Sequence, residues 1–453
     1  MDLGEFILLL DKYYNIYVII LVANLLLFYF LCKKFIYNIF DPFLFFYFLT
    51  FTFSAADISF LYFIGSIKLI YFTHFYISQI MFLLGLSFFK PFKKQLVNNQ
   101  IRNIKILKID IKSKILFITS IILYILVQLT VYYFSGIPLL MESRWEAFAG
   151  GNGFGIMDRI MTSVRFFSIF FVVYYLLYKR NSLLFKFFLI ILFIIIILFS
   201  FLSGSKMAIL DIVYVAFFVN LITYKVGIDR KIIANKSKKF FLVMFFLALI
   251  GAIISSFIHS YVNIAIRNNI SINEATKIIN PIMGLVLRFI FNGDIYIMSY
   301  PYDSIIHLQH DNPMIALFGN VLAALRIISW KDKIQDIGFQ IFYYHNPTVD
   351  VLRGPTTHFD IFGLFNFGYV LSLYFSIIIG LLVGFLYFWL FKKVKNIFHG
   401  AIYSVFAYTS LLLPLNPAAA LSKLLDLIIF VPFLILLINI ISKFSRRKNF
   451  DET

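Results

Sequence analysis

Long runs of apolar residues alternate with shorter polar stretches along this chain. A helix needs about 20 apolar residues to cross a bilayer, and about 11 runs of roughly that length occur here. The runs are continuous rather than alternating, which excludes a transmembrane β-barrel. The pattern predicts an all-α polytopic membrane protein, a single membrane domain over residues 1–453. The predicted spans are residues 15–31, 41–64, 69–89, 115–134, 161–178, 183–202, 207–224, 240–258, 361–391, 400–415 and 420–442.

Composition agrees with a membrane protein. Hydrophobic residues make up 61% of the chain, against roughly 45–50% in soluble domains. Cys32 is the only cysteine, so an internal disulfide and a cysteine-based metal site are excluded. The net charge of +18 lies mostly in short loops beside spans. That distribution is an orientation signal of membrane proteins rather than a sign of nucleic-acid binding.

The basic residues cluster in alternate loops, most densely in residues 90–114 and 225–239, and again at the carboxyl end of the chain. Because Lys and Arg are enriched in cytoplasmic loops, this side is predicted to face the cytoplasm and to touch anionic lipid. The amino terminus is then outside and the carboxyl terminus inside.

Three outer segments differ from simple connections. Residues 135–160 are rich in glycine and charge, Ser203–Lys206 form a tight turn, and residues 259–360 form one long polar segment. Within that segment, the apolar stretches 278–291 and 314–328 are too short to span a bilayer. We expect them to form short helices in the interface or packed over the bundle.

Several cations stand out on the outer side, where the orientation rule disfavours them, among them Arg144, Arg159, Arg165, Lys206 and Arg353. Arg binds phosphate oxygens bidentately and stays charged, so as a set they indicate an anion site. For any single one, a structural ion pair is the alternative. The internal partners open to Arg165 are Glu142, Asp57, Asp158 and Asp211. Lys206 follows a Gly- and Ser-containing turn at a predicted helix start, which can itself hold phosphate, but Asp211 could equally pair with it.

The end of the long outer segment carries candidate bases. His358 and Asp360 lie close in sequence to Arg353 at the predicted bilayer surface, where ionisable groups indicate function. Either can serve as a general base, with Glu142 as a further candidate. The alternative is that His358 only caps the next span. Histidines lack metal-ligand spacing and no Asp-x-Asp pair occurs, so neither a metal site nor a cofactor is expected.

These features resemble those of one family. The chain has a large outer segment late in the sequence and the Ser-Gly-Ser-Lys turn at Ser203. Residues 354–368 lead into the glycine-containing stretch 379–386. Ten residues separate Arg144 from Gly155, whereas Arg353 and Gly363 are one residue closer. In these respects the chain resembles the O-antigen polymerases, the Wzy-type oligosaccharide repeat-unit polymerases of bacterial inner membranes.

The resemblance implies a glycosyltransferase that acts without a metal or cofactor. It implies that a growing glycan is moved from undecaprenyl diphosphate to a new lipid-linked repeat unit at the periplasmic face. Its partners would be these lipid-linked donor and acceptor glycans, with a chain-length regulator and a flippase nearby. Two alternatives stay open, an O-antigen ligase and a flippase for the same lipid-linked unit. The single large, asymmetric outer segment counts against a flippase, which typically shows two similar halves.

Overall fold

The computed structural model describes residues 1–97, 111–141, 154–178, 181–203, 206–226, scattered positions in 240–257, and residues 291–310, 312–329, 335–348 and 354–450. The regular elements of these ranges are helical, and nine of their helices are long and apolar enough to cross a membrane. The prediction of an all-α, multi-pass membrane protein is therefore confirmed.

The helices follow the predicted spans closely. In chain order they are α1 Leu3–Lys12, α2 Tyr14–Cys32, α3 Thr50–Phe63, α4 Leu69–Ser87, α5 Phe92–Val97, α6 Ile111–Ser135, α7 Phe154–Tyr178, α8 Leu183–Leu202, α9 Lys206–Val226, α10 Asp294–Ser299, α11 Pro313–Ala324, α12 Ile337–His345, α13 Phe359–Val383, α14 Ile397–Ser410 and α15 Pro417–Phe450. A π-helical turn, Leu44–Leu49, leads into α3, and another, Gly384–Trp389, extends α13.

Two predicted spans do not appear as complete spans. Residues 240–258 lie only partly within the described residues. Residues 400–415 correspond to α14, which has 14 residues and ends in a turn at 411–415. At 1.5 Å per residue, α14 is only about 21 Å long, shorter than the roughly 30 Å hydrocarbon core.

The described residues group into two compact units, where the sequence predicts a single domain. Unit 1 comprises Met1–Gln95, Met283–Leu390 and Ala407–Leu425, and unit 2 comprises Leu96–Ile282, Phe391–Phe406 and Asp426–Thr453. Helices α6, α7 and α9 form much of unit 2, where α7 packs against both α6 and α9.

The centre of unit 1 is the crossing of α4 and α13. A Cβ added to Gly85 would strike the carbonyl oxygen of Ile377, and one added to Gly380 would strike that of Phe82. The two backbones thus touch, which is possible because glycine has no side chain. Such close approach strengthens dispersion contacts between helices inside a bilayer.

Helix α13 is broken near its beginning. Gly368 has φ +73°, and the turn before it folds back on the turns after it. The Phe362 ring lies 5.7 Å from that of Phe375, and a Cβ on Gly363 would lie 3.0 Å from the Cβ of Ser372. The predicted span 361–391 is therefore not one continuous helix.

This fold-back carries the start of α13 into the bundle of unit 1. The Phe359 ring packs 5.4 Å from Phe82 and 5.5 Å from Phe51, which lie well inside the membrane spans of α4 and α3. Residues 358–360 thus pack among the candidate membrane-spanning helices α3 and α4, and their position relative to the bilayer surface stays a prediction. Irregular backbone inside a bilayer is tolerated only where protein surrounds it, as it does here.

The described parts of the outer segment form short elements, as predicted. The apolar stretch 314–328 becomes α11, whose amino terminus is capped by Asn312 accepting from the N–H of Met314 at 2.9 Å. The stretch 278–291 lies almost wholly outside the described residues. Helix α10 enters unit 1 and packs against α3 and α12, and the Nε2–H of His345 donates to the carbonyl of Met298.

Candidate functional site

One tyrosine joins the two predicted bases. His358 precedes the first residue of α13, Asp360 is its second residue, and Tyr296 lies on α10. The Tyr296 hydroxyl donates to Oδ1 of Asp360 at 2.7 Å and lies 3.0 Å from Nδ1 of His358. The three side chains are buried, with His358 only 3% exposed. The structure therefore brings His358 and Asp360 into one hydrogen-bonded network.

The network defines a tautomer for the imidazole. The Tyr296 hydroxyl has one proton, which it donates to Asp360, so in this arrangement its oxygen accepts from Nδ1–H of His358. Nε2 is then the nitrogen with the free lone pair. Burial among aromatic rings such as Phe51, 5.0 Å away, favours the neutral ring. A neutral imidazole oriented by a second and a third group is the usual arrangement of a general base. The geometry therefore keeps His358 as a candidate base and makes Asp360 a candidate for the group that orients it.

A second tyrosine–aspartate pair lies next to α10. The Tyr17 hydroxyl donates to Oδ1 of Asp57 at 2.8 Å, and both residues are buried. A Cβ on Gly293 would strike the Asp57 carboxyl, so glycine is needed where α10 begins. Asp57 is thus not the partner of Arg165, one of the sequence alternatives. Its contacts help to fix α10, which carries Tyr296.

A third buried aspartate, Asp41, lies just before the π-helical turn Leu44–Leu49 that leads into α3. Asp41 accepts from the Tyr387 hydroxyl at 2.5 Å and from the N–H groups of Tyr37 and Phe43 at 2.7 and 2.9 Å. Complete burial raises the pKa of Asp41 to about 6, although these hydrogen bonds act to lower it. Desolvation thus outweighs three hydrogen bonds at this carboxyl.

Two of the predicted phosphate-binding arginines, Arg159 and Arg165, lie within the described residues, and each forms an ion pair with an aspartate. Arg165 contacts Oδ2 of Asp211 at 3.1 Å and donates to the carbonyl of Ala208. Arg159 donates to Oδ1 of Asp426 at 2.7 Å. These pairs belong to unit 2, whereas His358 and Asp360 belong to unit 1. Of the four internal partners that the sequence allows for Arg165, the structure selects Asp211.

The remaining predicted site residues are not described. Glu142, Arg144 and Arg353 lie outside the described residues, and so does the side chain of Lys206, the first residue of α9. The arginine–glycine spacing between Arg144 and Gly155 and the diphosphate role of these cations stay predictions.

Sequence reasoning missed Tyr296 and Tyr17. The chain holds 28 tyrosines, and 64 positions separate Tyr296 from Asp360. Composition and spacing therefore do not distinguish these two from the other tyrosines. The only local signal is that Tyr296 follows Gly293 and Asp294, a polar break inside an apolar stretch.

A groove opens between α2 and α4 of unit 1, with a volume of about 460 Å³. Leu27, Phe72 and Ile77 supply apolar walls. Its polar residues include Asn24 and Tyr76, which bond to each other at 2.6 Å, and Tyr76 also bonds Ser59 at 2.7 Å. The polar groups are thus satisfied internally, and the surface offered by the groove is mainly apolar.

Comparison of the chain with protein-family models, with curated proteins and with solved structures finds no match. The fold and site therefore define a class, a multi-pass helical membrane protein with a buried His–Tyr–Asp network, and the function must be argued from the residues.

Proposed function

We propose that this protein is a membrane glycosyltransferase that polymerises undecaprenyl-diphosphate-linked oligosaccharide repeat units at the outer face of a bacterial inner membrane. The observation that carries the proposal is the network of His358, Tyr296 and Asp360. Segments of the predicted outer region enter unit 1 and hold an oriented neutral imidazole there. Irregular backbone and ionisable side chains at membrane depth indicate a site rather than a scaffold.

In the proposed reaction, a hydroxyl oxygen at the non-reducing end of the acceptor attacks the anomeric carbon of the donor glycan. The bond from that carbon to the diphosphate oxygen breaks, and undecaprenyl diphosphate leaves with the bonding electrons. Nε2 of His358 takes the hydroxyl proton, while Tyr296 and Asp360 stabilise the imidazolium that forms. Because this imidazole is 3% exposed, the acceptor must displace some of the packing around it.

The leaving diphosphate needs cations, which can replace a metal ion in this role. We assign it to Arg353, Arg144, Arg159, Arg165 and Lys206, with Glu142 as a reserve base. In this proposal the basic loops 90–114 and 225–239 are cytoplasmic, the amino terminus is outside and the carboxyl terminus inside.

A second candidate is a proton-coupled flippase for the same lipid-linked unit. The observation in its favour is the enclosed position of the network beside Phe51 and Phe82, deep in unit 1. Buried ionisable groups at membrane depth also serve as proton relays in transporters. An O-antigen ligase, with the same donor and lipid A core as acceptor, is the remaining alternative.

The test is the glycan made by cells that lack this protein. Loss of a polymerase leaves lipid that carries a single repeat unit and no ladder of longer chains. If even the single-repeat species is absent, the protein is a flippase. If long polymer accumulates on its undecaprenyl carrier and does not reach the acceptor, it is a ligase. Complementation with the wild-type chain should restore the ladder.

A further inference from the structure

The peptide that leads into His358 is held against the amino-terminal end of α12. A Cβ on Gly338 would strike the carbonyl oxygen of Pro355, and one on Gly354 would strike the carbonyl oxygen of Gly338. These two backbones are thus in direct contact, and glycine is required on both sides. The contact fixes where the peptide 354–358 begins its path into unit 1.

Asp336 is the polar centre of this contact. Its Oδ1 accepts from the Thr357 hydroxyl and from the N–H of Gly338 at 3.1 Å, and its Oδ2 accepts from Nδ2 of Asn416 at 3.2 Å. The Thr357 oxygen in turn accepts from the N–H of Gly338 at 3.0 Å. One carboxylate therefore ties α12, the residue before His358 and the turn before α15 together.

The other side of His358 is tied as well. The N–H of Phe359 donates to the carbonyl of Pro414 at 3.0 Å, two residues before Asn416. Thr357 and Phe359 are both buried. His358 is thus flanked by two buried residues whose hydrogen bonds lead to the same turn, residues 411–416.

We propose that Asp336 is a positioning residue for His358. Through its hydrogen bonds to Thr357 and Asn416, it fixes the position and orientation of the peptide 354–358. In that position, Nδ1 of His358 lies within hydrogen-bond distance of the Tyr296 hydroxyl. This role rests on the proposed function, since it concerns the base of the transfer reaction. The alternative is that Asp336 only caps α12. Its hydrogen bond from the N–H of Gly338 is an ordinary amino-terminal cap.

Two substitutions separate the roles. Asp336→Ser keeps a good helix cap but is too short to hold Thr357 and Asn416. Thr357→Val keeps the shape of the side chain and removes the hydroxyl, whereas Thr357→Ser keeps the hydroxyl. Asn312→Ser is the matched control, because it makes the same kind of cap change on neighbouring α11.

The experiment measures polymerisation kinetics of the purified full-length variants, using lipid-linked repeat units as substrate. We expect Asp336→Ser and Thr357→Val to lower kcat by about 10-fold or more while KM changes by less than about 2-fold, because misplacing a reacting group costs rate rather than binding. Thr357→Ser and Asn312→Ser should stay within about 2-fold of wild type. Hydrogen exchange of the peptide 354–361 should be faster in the first two variants and unchanged in the other two.

The outcomes distinguish a failure of the positioning role of Asp336 from a failure of the proposed function. If the wild-type protein polymerises and Asp336→Ser has the same kcat, or if exchange in 354–361 does not change, the positioning role is overturned and the proposed function stands. If the wild-type protein makes no polymer, the proposed function fails, and the role of Asp336 in it fails with it.

Discussion

The two units hold their aspartates in different ways. In the described part of unit 1, Asp41, Asp57 and Asp360 are fully buried, and each accepts a hydrogen bond from a tyrosine: Tyr387, Tyr17 and Tyr296, respectively. In the described part of unit 2, Asp211 and Asp426 are partly buried, and each pairs with an arginine, Arg165 or Arg159.

The difference concerns charge. An arginine stays protonated, so it stabilises its partner in the charged carboxylate form. A tyrosine hydroxyl stabilises a carboxylate by one hydrogen bond but brings no charge, so the carboxyl can still gain a proton. Burial raises the pKa of Asp41 to about 6, so a tyrosine-held carboxyl of this kind is expected to exchange its proton near neutral pH. The tyrosine pairs of unit 1 therefore bring no charge to the carboxyl, whereas the arginine pairs of unit 2 do.

The largest expected effect is on catalysis through the tyrosine-held network. His358→Gln should lower the rate of polymer synthesis by about 10²- to 10⁴-fold, the range for loss of a general base. Protein amount and detergent behaviour should stay near normal. His307→Gln, at an exposed histidine of the same segment, is the matched control. Wild-type polymer length and rate from the His358 variant would remove the imidazole from the mechanism.

The next effect concerns an arginine-held carboxylate. Arg165→Met should destabilise the protein by roughly 2–4 kcal/mol, because Asp211 then lacks its counter-charge in a mostly buried place. Adding Asp211→Leu should restore most of that stability, since a buried pair can be replaced by apolar groups. Thermal unfolding in detergent measures both.

The same double variant also decides what Arg165 does. If it is stable and still makes polymer, Arg165 serves the fold alone. If it is stable and makes none, the guanidinium acts on the diphosphate. A double variant that is no more stable than Arg165→Met would show that Asp211 does not need Arg165 as its counter-charge.

An effect of similar size should appear as pH dependence at Asp41. The folded-state pKa of about 6 lies above the ordinary 3.8, so the folded state binds this proton more tightly than the unfolded state. Stability from this group is present below pH 4 and is lost as pH rises to about 6. The loss is on the order of 3 kcal/mol for a shift of about two units.

Asp41→Asn removes that titration. The variant loses hydrogen bonds at every pH, so the quantity to compare is the difference in melting temperature between variant and wild type. We expect this difference to favour the variant more at pH 7.5 than at pH 4.5. A difference that does not change with pH would show that Asp41 does not titrate in this range.

The smallest effect is expected at Asp303, the unit 1 carboxylate that has both kinds of partner. It accepts from the Tyr71 hydroxyl at 2.9 Å and pairs with Lys68 at 2.5 Å, and Lys68 holds the pKa of Asp303 below its usual range. The Lys68 side chain is 66% exposed. Asp303→Asn should cost less than about 1 kcal/mol, and added salt should shrink the cost further. A larger loss of stability that does not depend on salt would show that the Lys68–Asp303 pair behaves like a buried ion pair.

The sequence was sufficient for the parts of the fold set by hydropathy. Span positions such as 183–202 and the short length of the apolar stretch near α11 follow from runs of apolar residues. The break at Gly368 could not be predicted, because the stretch from Ile361 to Leu390 is apolar on both sides of it. Hydropathy reports that a segment is buried but not the direction in which it runs.

The candidate site was predictable only in part. His358 and Asp360 stand out as ionisable residues beside an apolar run, and the structure joins them. Tyr296 could not be found, because tertiary packing alone brings α10 next to α13. The choice of Asp211 for Arg165 likewise depends on how α7 and α9 pack, which spacing along the chain does not define.

The central claim is that the tyrosine-held imidazole drives extension of lipid-linked glycans. The most direct measurement adds lipid-linked repeat units to purified wild-type and Tyr296→Phe protein, with a chelator present, and resolves the products by chain length. We expect a ladder from the wild-type protein and a large loss of it in the variant, which keeps the aromatic ring but lacks the hydroxyl. A wild-type protein that leaves the single unit unextended, or a variant ladder equal to wild type, would contradict it.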